Sequence, residues 1–190
     1  FFGMKTITSP RTMQQQAMAW RAARRRVVLV PTMGALHAGH LSLISHARRS
    51  AGPDGAVVVS VYVNPTQFND PADLKAYPRT LMADKRHCRA EGADVVFAPK
   101  TIFEKDASVM VVEDELSGRF EGEHRPGHFA GVLTVVAKLF QLVQPHEAVF
   151  GEKPDFSFVR VWGCLTYCTI RNEADRETRV SPTAAKAIHL

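Results

Sequence analysis

Two histidines, His37 and His40, stand three residues apart between an apolar run and a segment with helical periodicity. The apolar run, residues 27–30, is typical of a buried strand, and Gly34 and Gly39 indicate a tight turn before a helix. A strand, a glycine-containing turn and a helix N-terminus present unpaired N–H groups to one point and favour an anion there. The imidazoles could donate hydrogen bonds to phosphate oxygens that become more negative as a phosphoanhydride bond breaks. The pattern therefore predicts a phosphate-binding turn.

A simpler explanation exists, because an H-x-x-H pair is more often a surface coincidence or part of an incomplete metal site than a catalytic pair. The position of the pair favours catalysis. The histidines follow the carboxyl end of the first predicted strand, where open α/β sheets bind their ligands. The chain contains neither G-x-G-x-x-G nor G-x-x-x-x-G-K-[ST], so the dinucleotide fingerprint and the P-loop are both excluded.

The charge of the chain does not predict a nucleic-acid partner. A net charge of +5 over 190 residues would permit nucleic-acid binding. The basic residues, however, are concentrated in residues 21–26 and do not alternate with aromatic residues, as they do in single-strand binders. A solvated helix end is the better explanation of the charge, with anionic small-molecule substrates as a second contribution.

The compartment is predicted from the cysteines and from the apolar segments. Cys88, Cys164 and Cys168 do not suggest a disulfide framework, and the last two lack a second pair to complete a zinc site. Buried free thiols in a reducing cytoplasm are the expectation. No apolar run approaches the roughly 20 residues that span a bilayer, and FFGMKTITSP is not a secretory signal. We expect a cytoplasmic protein without a membrane partner.

Predicted strands and helices alternate along the rest of the chain. This order predicts the α/β class, with a parallel sheet, helices on both faces and right-handed crossovers. Ser9 and Pro10 are typical of a helix N-cap and first helical position. Predicted helices cover residues 11–25, 39–50, 73–77, 80–92 and 129–143, predicted strands cover 27–30, 56–63, 94–98 and 148–150, a β-type segment in a hairpin or at an edge covers 108–112, and a polar loop covers 117–127.

Polar residues follow two of the later strands. Asn64 and Gln67 come after the second strand, where they can reach a ligand in the same cleft as the histidines. Asn64 could instead form only an Asx turn, an explanation that is weaker for Gln67. Lys153 comes after the fourth strand and is suited to neutralising phosphate, although a lysine there is more often simply exposed to solvent.

Five blocks of the sequence carry a resemblance to a known family. They are VPTMGALHAGHLSLI (30–44), VSVYVNPTQF (59–68), DLKAYPRTL (73–81), RPGHFAGVLTVVAKLFQLVQP (125–145) and FGEK (150–153). In the same order, they resemble blocks of the pantothenate synthetases, also called pantoate–β-alanine ligases. The resemblance implies a Rossmann-like parallel sheet of the H-x-G-H adenylyltransferase type. We place this nucleotide-binding domain at residues 4–170 and a divergent C-terminal remnant at residues 171–190.

The resemblance implies a two-step ligation of pantoate to β-alanine. Pantoate would attack ATP to give pantoyl adenylate and pyrophosphate, and β-alanine would then displace AMP to give pantothenate. Mg²⁺ would accompany ATP, and the protein would be a homodimer formed through the nucleotide-binding domain, with the apolar second strand and its flanks allowing the contact. Two alternatives remain open: a nucleotidylyltransferase acting on another small acceptor, and a non-catalytic nucleotide-binding module. Gln67 and the RPGHF block favour the ligase.

The resemblance also implies roles for individual residues. It makes His40 the proton donor, places His37 and Lys153 at the phosphates, and assigns no protein ligand to a metal. The nucleotide site would comprise Met33, Gly34, Ala35, Leu36, His37, Ala38, Gly39, His40, Gly151, Glu152 and Lys153, and the substrate site Gln67, Asn64, Tyr77, His128, Val132, Val135 and Val136.

The resemblance weakens after Lys153. The family pattern G-E-K-D-[FY]-Q-Q is replaced by GEKPDFSF, which lacks both glutamines. The family's serine-serine-arginine loop is also missing after residues 173–175, where Arg176 and Arg179 are the two candidates for its arginine. We further expect the family's C-terminal lid domain to be absent. Because a lid excludes water from a labile acyl adenylate, we expect hydrolytic leakage of this intermediate.

Overall fold

The structure, a computed structural model, describes residues 3–114, 117, 121–152, 167–170 and 184–189. The helices are α1 (Pro10–Ala22), α2 (Ala38–Ala51), α3 (Pro71–Ala76), α4 (Leu81–Ala90), α5 (Glu121–His124) and α6 (His128–Val143), with a short 3-10 turn at Pro65–Gln67. The strands are β1 (Lys5–Ile7), β2 (Val27–Thr32), β3 (Ala56–Val61), β4 (Val95–Phe97), β5 (Glu147–Glu152), β6 (Tyr167–Ile170) and β7 (Ala184–His189).

The strands form one sheet in the order β1-β4-β3-β2-β5-β7-β6. Strands β1 to β5 are parallel, which confirms the predicted α/β class. Strand β7 pairs antiparallel with both β5 and β6 at the other side of the sheet. From β2 the chain places β3 and then β4 on one side, and it later places β5 on the other side of β2. The strand order therefore reverses between β2 and β5. Such a topological switch point is where open α/β sheets bind ligands.

A crevice opens at this switch point. Strand β5 pairs with β2 at Val28 and Leu29, whereas β3 stays paired with β2 as far as Thr32. The strands β2 and β5 therefore separate toward their carboxyl ends. Pro31, which has no N–H to contribute to a ladder, lies beyond the last residue paired with β5, so it is tolerated within β2.

Apolar side chains cover both faces of the sheet. On one face α1 and α6 pack through residues such as Trp20 and Leu139. On the other face α2 and α4 pack through residues such as Ile44 and Cys88. Two-sided burial explains why the strand sequences are apolar throughout rather than alternating. Within the described residues, no helix combines the length and apolar character needed to cross a bilayer.

Cys88 is the buried free thiol that the sequence predicts. Burial, with a smaller contribution from the Asp84 charge, raises its pKa to about 12. The thiolate is therefore scarcely populated near neutral pH, and Cys88 serves as a packing residue. Cys164 and the side chain of Cys168 lie outside the described part of the chain.

Some local predictions are wrong. The segment 108–112 forms no strand; the Val111 N–H donates to the Thr134 hydroxyl on α6 instead of to a neighbouring strand. Pro31 belongs to β2 rather than to the following loop, and residues 121–124 form α5 within the predicted loop. Strand β1 has no predicted counterpart, because three residues are too few to carry a periodicity.

His146 makes the folding stability of the protein dependent on pH. It lies at the end of the sheet where the parallel strands β2 and β5 begin. Its Nδ1 accepts a hydrogen bond from the Val27 N–H at 3.0 Å. Burial, followed by the charges of Arg21 and Arg26, lowers its pKa below the ordinary value of 6.5. Between that value and the lowered one, the unfolded chain binds more protons than the folded chain, so folding stability decreases as the pH falls through this window.

We therefore expect the free energy of unfolding to decrease on acidification below pH 6.5, and to decrease less in His146→Gln, which keeps an acceptor for Val27 but does not titrate. Urea unfolding at a series of pH values measures both slopes. Equal slopes in the two proteins would show that His146 is not responsible.

Candidate active site

A cavity of about 890 Å³ opens at the carboxyl ends of the parallel strands, where β2 and β5 separate. Its wall is built from the β2–α2 turn, the turn after β3, helix α3 and the start of α6. The predicted nucleotide and substrate residues thus share one cavity. Those that line it are Met33, Gly34, Ala35, His37, His40, Asn64, Gln67, Tyr77, His128, Val132, Val135 and Val136.

The remaining predicted residues are placed elsewhere or are not described. The Leu36 side chain packs against the apolar cluster beneath α2. Ala38 and Gly39 begin α2 without lining the cavity, and Gly151 lies within β5. The side chain of Glu152 and the whole of Lys153 lie outside the described residues, so the predicted phosphate lysine stays a prediction.

The two histidines form a reciprocal cap at the start of α2. His37 is the N-cap residue, and its Nδ1 accepts the Gly39 N–H at 3.1 Å. His40, at the third helical position, accepts the His37 N–H through its own Nδ1 at 3.4 Å. The ring centroids are 4.1 Å apart. A neutral imidazole that accepts at Nδ1 carries its proton on Nε2, so each ring is a donor at Nε2.

The turn between β2 and the histidines has an unusual backbone. Gly34 and Ala35 both have positive φ, +85° and +51°. The Thr32 hydroxyl accepts the Gly34 N–H at 3.1 Å and donates to the Ser60 carbonyl on β3 at 2.6 Å. The Asp84 carboxylate accepts the N–H groups of the two residues that follow Gly34. The turn is therefore held from two neighbouring elements.

A polar wall, formed by Asn64, Gln67 and His128, lines the same cavity, and Gln67 Nε2 donates to the Met33 sulfur of the histidine turn at 3.0 Å. Asn64 is buried, and its Oδ1 accepts the N–H and hydroxyl of Thr66 while its Nδ2 donates to the Gln67 side chain at 3.1 Å and to the Gly131 carbonyl at 3.2 Å. These contacts form an Asx turn and also orient Gln67. His128 Nδ1 lies 2.7 Å from the backbone carbonyl oxygen of Gln67. Because that oxygen can only accept, Nδ1 of His128 carries the proton.

Gly131 allows the polar wall to lie directly against α6. A Cβ at this position would stand 2.4 Å from the Thr66 carbonyl oxygen, a contact that backbone atoms cannot relieve without moving. We expect Gly131→Ala to displace the Asn64–Gln67 turn and to destabilise the protein by about 1–3 kcal/mol, the usual effect of overpacking. Urea unfolding measures the loss.

Gly3→Ala is the matched control, because no atom lies within 4 Å of its added Cβ. A Gly131→Ala protein as stable as the control would show that the turn can shift at no cost.

The other end of the cavity is apolar. Val132, Val135 and Val136 on successive turns of α6 line it together with Phe150 of β5. Tyr77 stands at the rim, with its ring edge-on to Phe68 at 5.7 Å between centroids. Burial, followed by the Asp84 charge, raises the pKa of Tyr77, so the phenol remains protonated near neutral pH. A small molecule with an apolar body and polar ends fits this arrangement.

Sequence reasoning misses the residues that act through the turn. Thr32, Ser60 and Asp84 hold it but lie on three different elements, and nothing local marks them. Arg125 also lines the cavity. It is a cation at the start of the RPGHF block, so its position in the sequence could have marked it as a site residue. Among the described residues, no group of three or more His, Cys, Asp or Glu side chains is arranged to hold a metal ion.

Comparisons with known proteins show the family of the chain. The family described as pantoate-beta-alanine ligase matches residues 5–163. The pantothenate synthetase of Akkermansia muciniphila is 48% identical over 152 residues, which are 79% of this chain and 54% of that protein. The pantothenate synthetase crystal structure of Thermus thermophilus superimposes with a TM-score of 0.66 at 44% identity, covering 76% of this chain and 51% of that one.

A structure of pantoate-beta-alanine ligase from Francisella tularensis, complexed with beta-gamma ATP and beta-alanine, superimposes with a TM-score of 0.69 at 37% identity. It is matched over 76% of this chain and 55% of its own. The present chain thus spans about half the length of the relatives it matches. The matched residues include the histidine turn, the polar wall and α6. The chain belongs to the pantoate–β-alanine ligase family.

Proposed function

We propose that the chain condenses pantoate with β-alanine through a pantoyl adenylate, using ATP and releasing AMP and pyrophosphate. The observation that carries this proposal is the shared cavity. Its lining combines imidazole donors at a helix N-terminus with amide and imidazole groups beside an apolar pocket. A nucleotide and a small hydroxy acid need these two environments next to each other.

In the first step, a pantoate carboxylate oxygen bonds to the α-phosphorus of ATP as the bond to the β-phosphate breaks and pyrophosphate leaves. Negative charge grows on the oxygens of the leaving group. Donors aimed at that charge lower the barrier most when they are already oriented. His37 and His40 meet this condition, since backbone N–H groups occupy Nδ1 of both rings and direct their protons to Nε2.

In the second step, the β-alanine nitrogen bonds to the acyl carbon, AMP leaves with the electrons of the acyl–oxygen bond, and the nitrogen loses a proton. Both nucleophiles are already reactive, so positioning matters more than a strong base. Gln67 and His128 would bind the polar groups of pantoate, with the three valines of α6 against its methyl groups and Tyr77 at the entrance. Lys153 would neutralise the phosphates.

Mg²⁺ fits this site as a companion of ATP. The ion commonly binds nucleotide phosphates and water with one or two carboxylates. Asp73 is the carboxylate among the described residues that line the cavity. When bound, the ion would neutralise phosphate charge, while the protein residues orient the reacting groups.

The proposed setting is a cytoplasmic homodimer with a Rossmann-like nucleotide-binding domain at residues 4–170. We expected strand β3 and its flanks to allow the dimer contact; β3 itself is interior to the sheet, so the contact would come from residues outside the strand. Val109, Met110 and Val112 expose 83%, 54% and 62% of their surface in one extended stretch, which is a suitable surface for a second copy. Light scattering at several concentrations tests the dimer.

Pantoate-dependent exchange of labelled pyrophosphate into ATP tests the proposed chemistry. We expect exchange with pantoate and none without it, because the reverse of the first step needs the acyl adenylate. Release of AMP without β-alanine would measure hydrolysis of the acyl adenylate. ATP binding without exchange would instead favour the non-catalytic module, and adenylylation of another acceptor would favour the nucleotidylyltransferase.

A further inference from the structure

Asp84 is a buried carboxylate outside the predicted site residues. It lies in the first turn of α4, and 1% of its surface is exposed. Its Oδ1 accepts the Leu36 N–H at 2.9 Å and its Oδ2 accepts the Ala35 N–H at 3.3 Å. The Thr80 hydroxyl donates to both oxygens, at 3.2 and 3.1 Å. A carboxylate is removed from water only at a large cost, so bonds that satisfy it so fully indicate a dedicated arrangement.

The N-cap residue of α4 also binds the Asp84 carboxylate. Thr80 occupies the N-cap position, where a threonine hydroxyl usually accepts a helix N–H. Here the side chain makes no such bond and donates to Asp84 instead. A cap of this kind normally stabilises the start of a helix. The hydroxyl therefore supports the carboxylate in place of the helix.

The two N–H groups bound by Asp84 belong to the strained part of the histidine turn. Ala35 has φ +51°, a left-handed conformation that is unfavourable for an L-residue with a Cβ. Gly34 precedes it with φ +85°, and a Cβ there would lie 3.1 Å from the Asp84 carboxylate. The carboxylate thus packs directly on the turn that delivers the chain from β2 to His37.

We propose that Asp84 is a positioning residue for adenylation, holding the left-handed turn so that the Nε2 atoms of His37 and His40 face the phosphates. This inference rests on the proposed function. It assigns Asp84 no contact with ATP or pantoate. Its effect reaches the reaction through the backbone of residues 34–37 and the reciprocal cap at the start of α2.

Asp84→Asn tests the proposal. An asparagine oxygen can accept one of the two N–H groups, while its NH₂ would face the other. We expect kcat for pantoate-dependent exchange to fall by roughly 100-fold, the scale of a small misplacement of reacting groups, with little change in KM for pantoate. Asp84→Glu, which keeps the charge but moves it by one methylene, should lose kcat similarly and serves if the asparagine variant does not fold.

Two further variants separate positioning from general stability. Asp94 also accepts a backbone N–H, from Val57 at 2.8 Å. It lies where the parallel strands begin, at the end of the sheet opposite the cavity. Asp94→Asn should therefore lower the melting temperature without lowering kcat. Ala35→Gly removes the cost of the left-handed conformation, so adding it to Asp84→Asn should restore part of kcat. Loss of kcat in Asp94→Asn equal to that in Asp84→Asn, or no restoration by Ala35→Gly, would overturn the proposal.

The proposal can fail separately from the proposed function. If the wild-type chain shows no exchange, the proposed function fails. Imidazole ¹⁵N NMR can still test the positioning role, because it reports which ring nitrogen of His37 and His40 carries the proton. In the wild type we expect protonation at Nε2 of both His37 and His40, and in Asp84→Asn a mixture of tautomers. Identical imidazole spectra in the two proteins would overturn the positioning role.

Discussion

His40→Gln is expected to lower the rate of pantoate-dependent ATP–pyrophosphate exchange by about 10²–10³-fold, the usual effect of removing one donor that stabilises transition-state charge. Glutamine at the third helical position can still accept the N-cap N–H, as in an ordinary capping box. The helix start is therefore kept while the imidazole is removed. An alanine would remove both and would mix a catalytic effect with a structural one.

His37→Asn is the corresponding variant for the other ring. Asparagine is a preferred N-cap residue, so it replaces the bond that His37 Nδ1 accepts from Gly39. We expect a smaller loss than for His40→Gln, because the His37 side chain is the more exposed of the two. His37→Ala should add a cap loss of about 1 kcal/mol in unfolding free energy.

His87→Ala is the control for both variants, since His87 is exposed on α4 and does not line the cavity. Melting temperatures near that of the wild type, together with reduced exchange, would assign the effect to chemistry. Wild-type exchange in His40→Gln would show that the imidazole of His40 is not a donor to the phosphates.

Short-range signals explain what could be predicted from the sequence. The apolar run of β2, the glycines and the helical periodicity of α2 are adjacent, so the strand–turn–helix unit and its histidines are visible in one window. The Ser9 cap and Pro10 likewise mark the start of α1. The continuous apolar strands indicate a parallel sheet, because only two-sided burial tolerates them.

Long-range contacts explain what could not. Asp84 lies about fifty residues from the turn it holds, on a helix whose own pattern gives no sign of that contact. The separation of β2 from β5, which opens the cavity, depends on where pairing stops rather than on strand propensity. The apolar segment at 108–112 resembles a strand, but strand formation also needs a partner, and the side chain of Thr134 takes the Val111 N–H instead.

The second large expected effect concerns the end of the sheet where the parallel strands begin, opposite the cavity. Glu147, the first residue of β5, exposes 1% of its side chain, whereas its partner Arg26 exposes 42%. Arg26 Nη2 lies 2.6 Å from Oε2, the Ser50 hydroxyl donates to the same oxygen, and His46 Nε2 is 3.8 Å from Oε1. The ion pair joins the start of β2 to the start of β5.

Because the burial is so unequal, the two halves of the pair should not be equivalent. Arg26→Met removes the guanidinium that lies 2.6 Å from the buried carboxylate, and we expect it to destabilise the protein by about 2–3 kcal/mol, below the full range for a buried pair because Arg26 is already partly solvated. Glu147→Gln removes the buried charge, keeps a partner for Ser50 and returns Arg26 to water, so we expect a loss of about 1 kcal/mol.

The double variant distinguishes this asymmetry from simple loss of packing. Once Glu147→Gln has removed the buried charge, Arg26→Met should cost little more, so the double variant should be less destabilised than the sum of the singles. Urea unfolding of the four proteins gives the coupling, with Arg11→Met on exposed α1 surface as the control. Additive losses, or a larger loss for Glu147→Gln than for Arg26→Met, would mean that the cost comes from the lost contacts and not from a buried carboxylate that has lost its arginine.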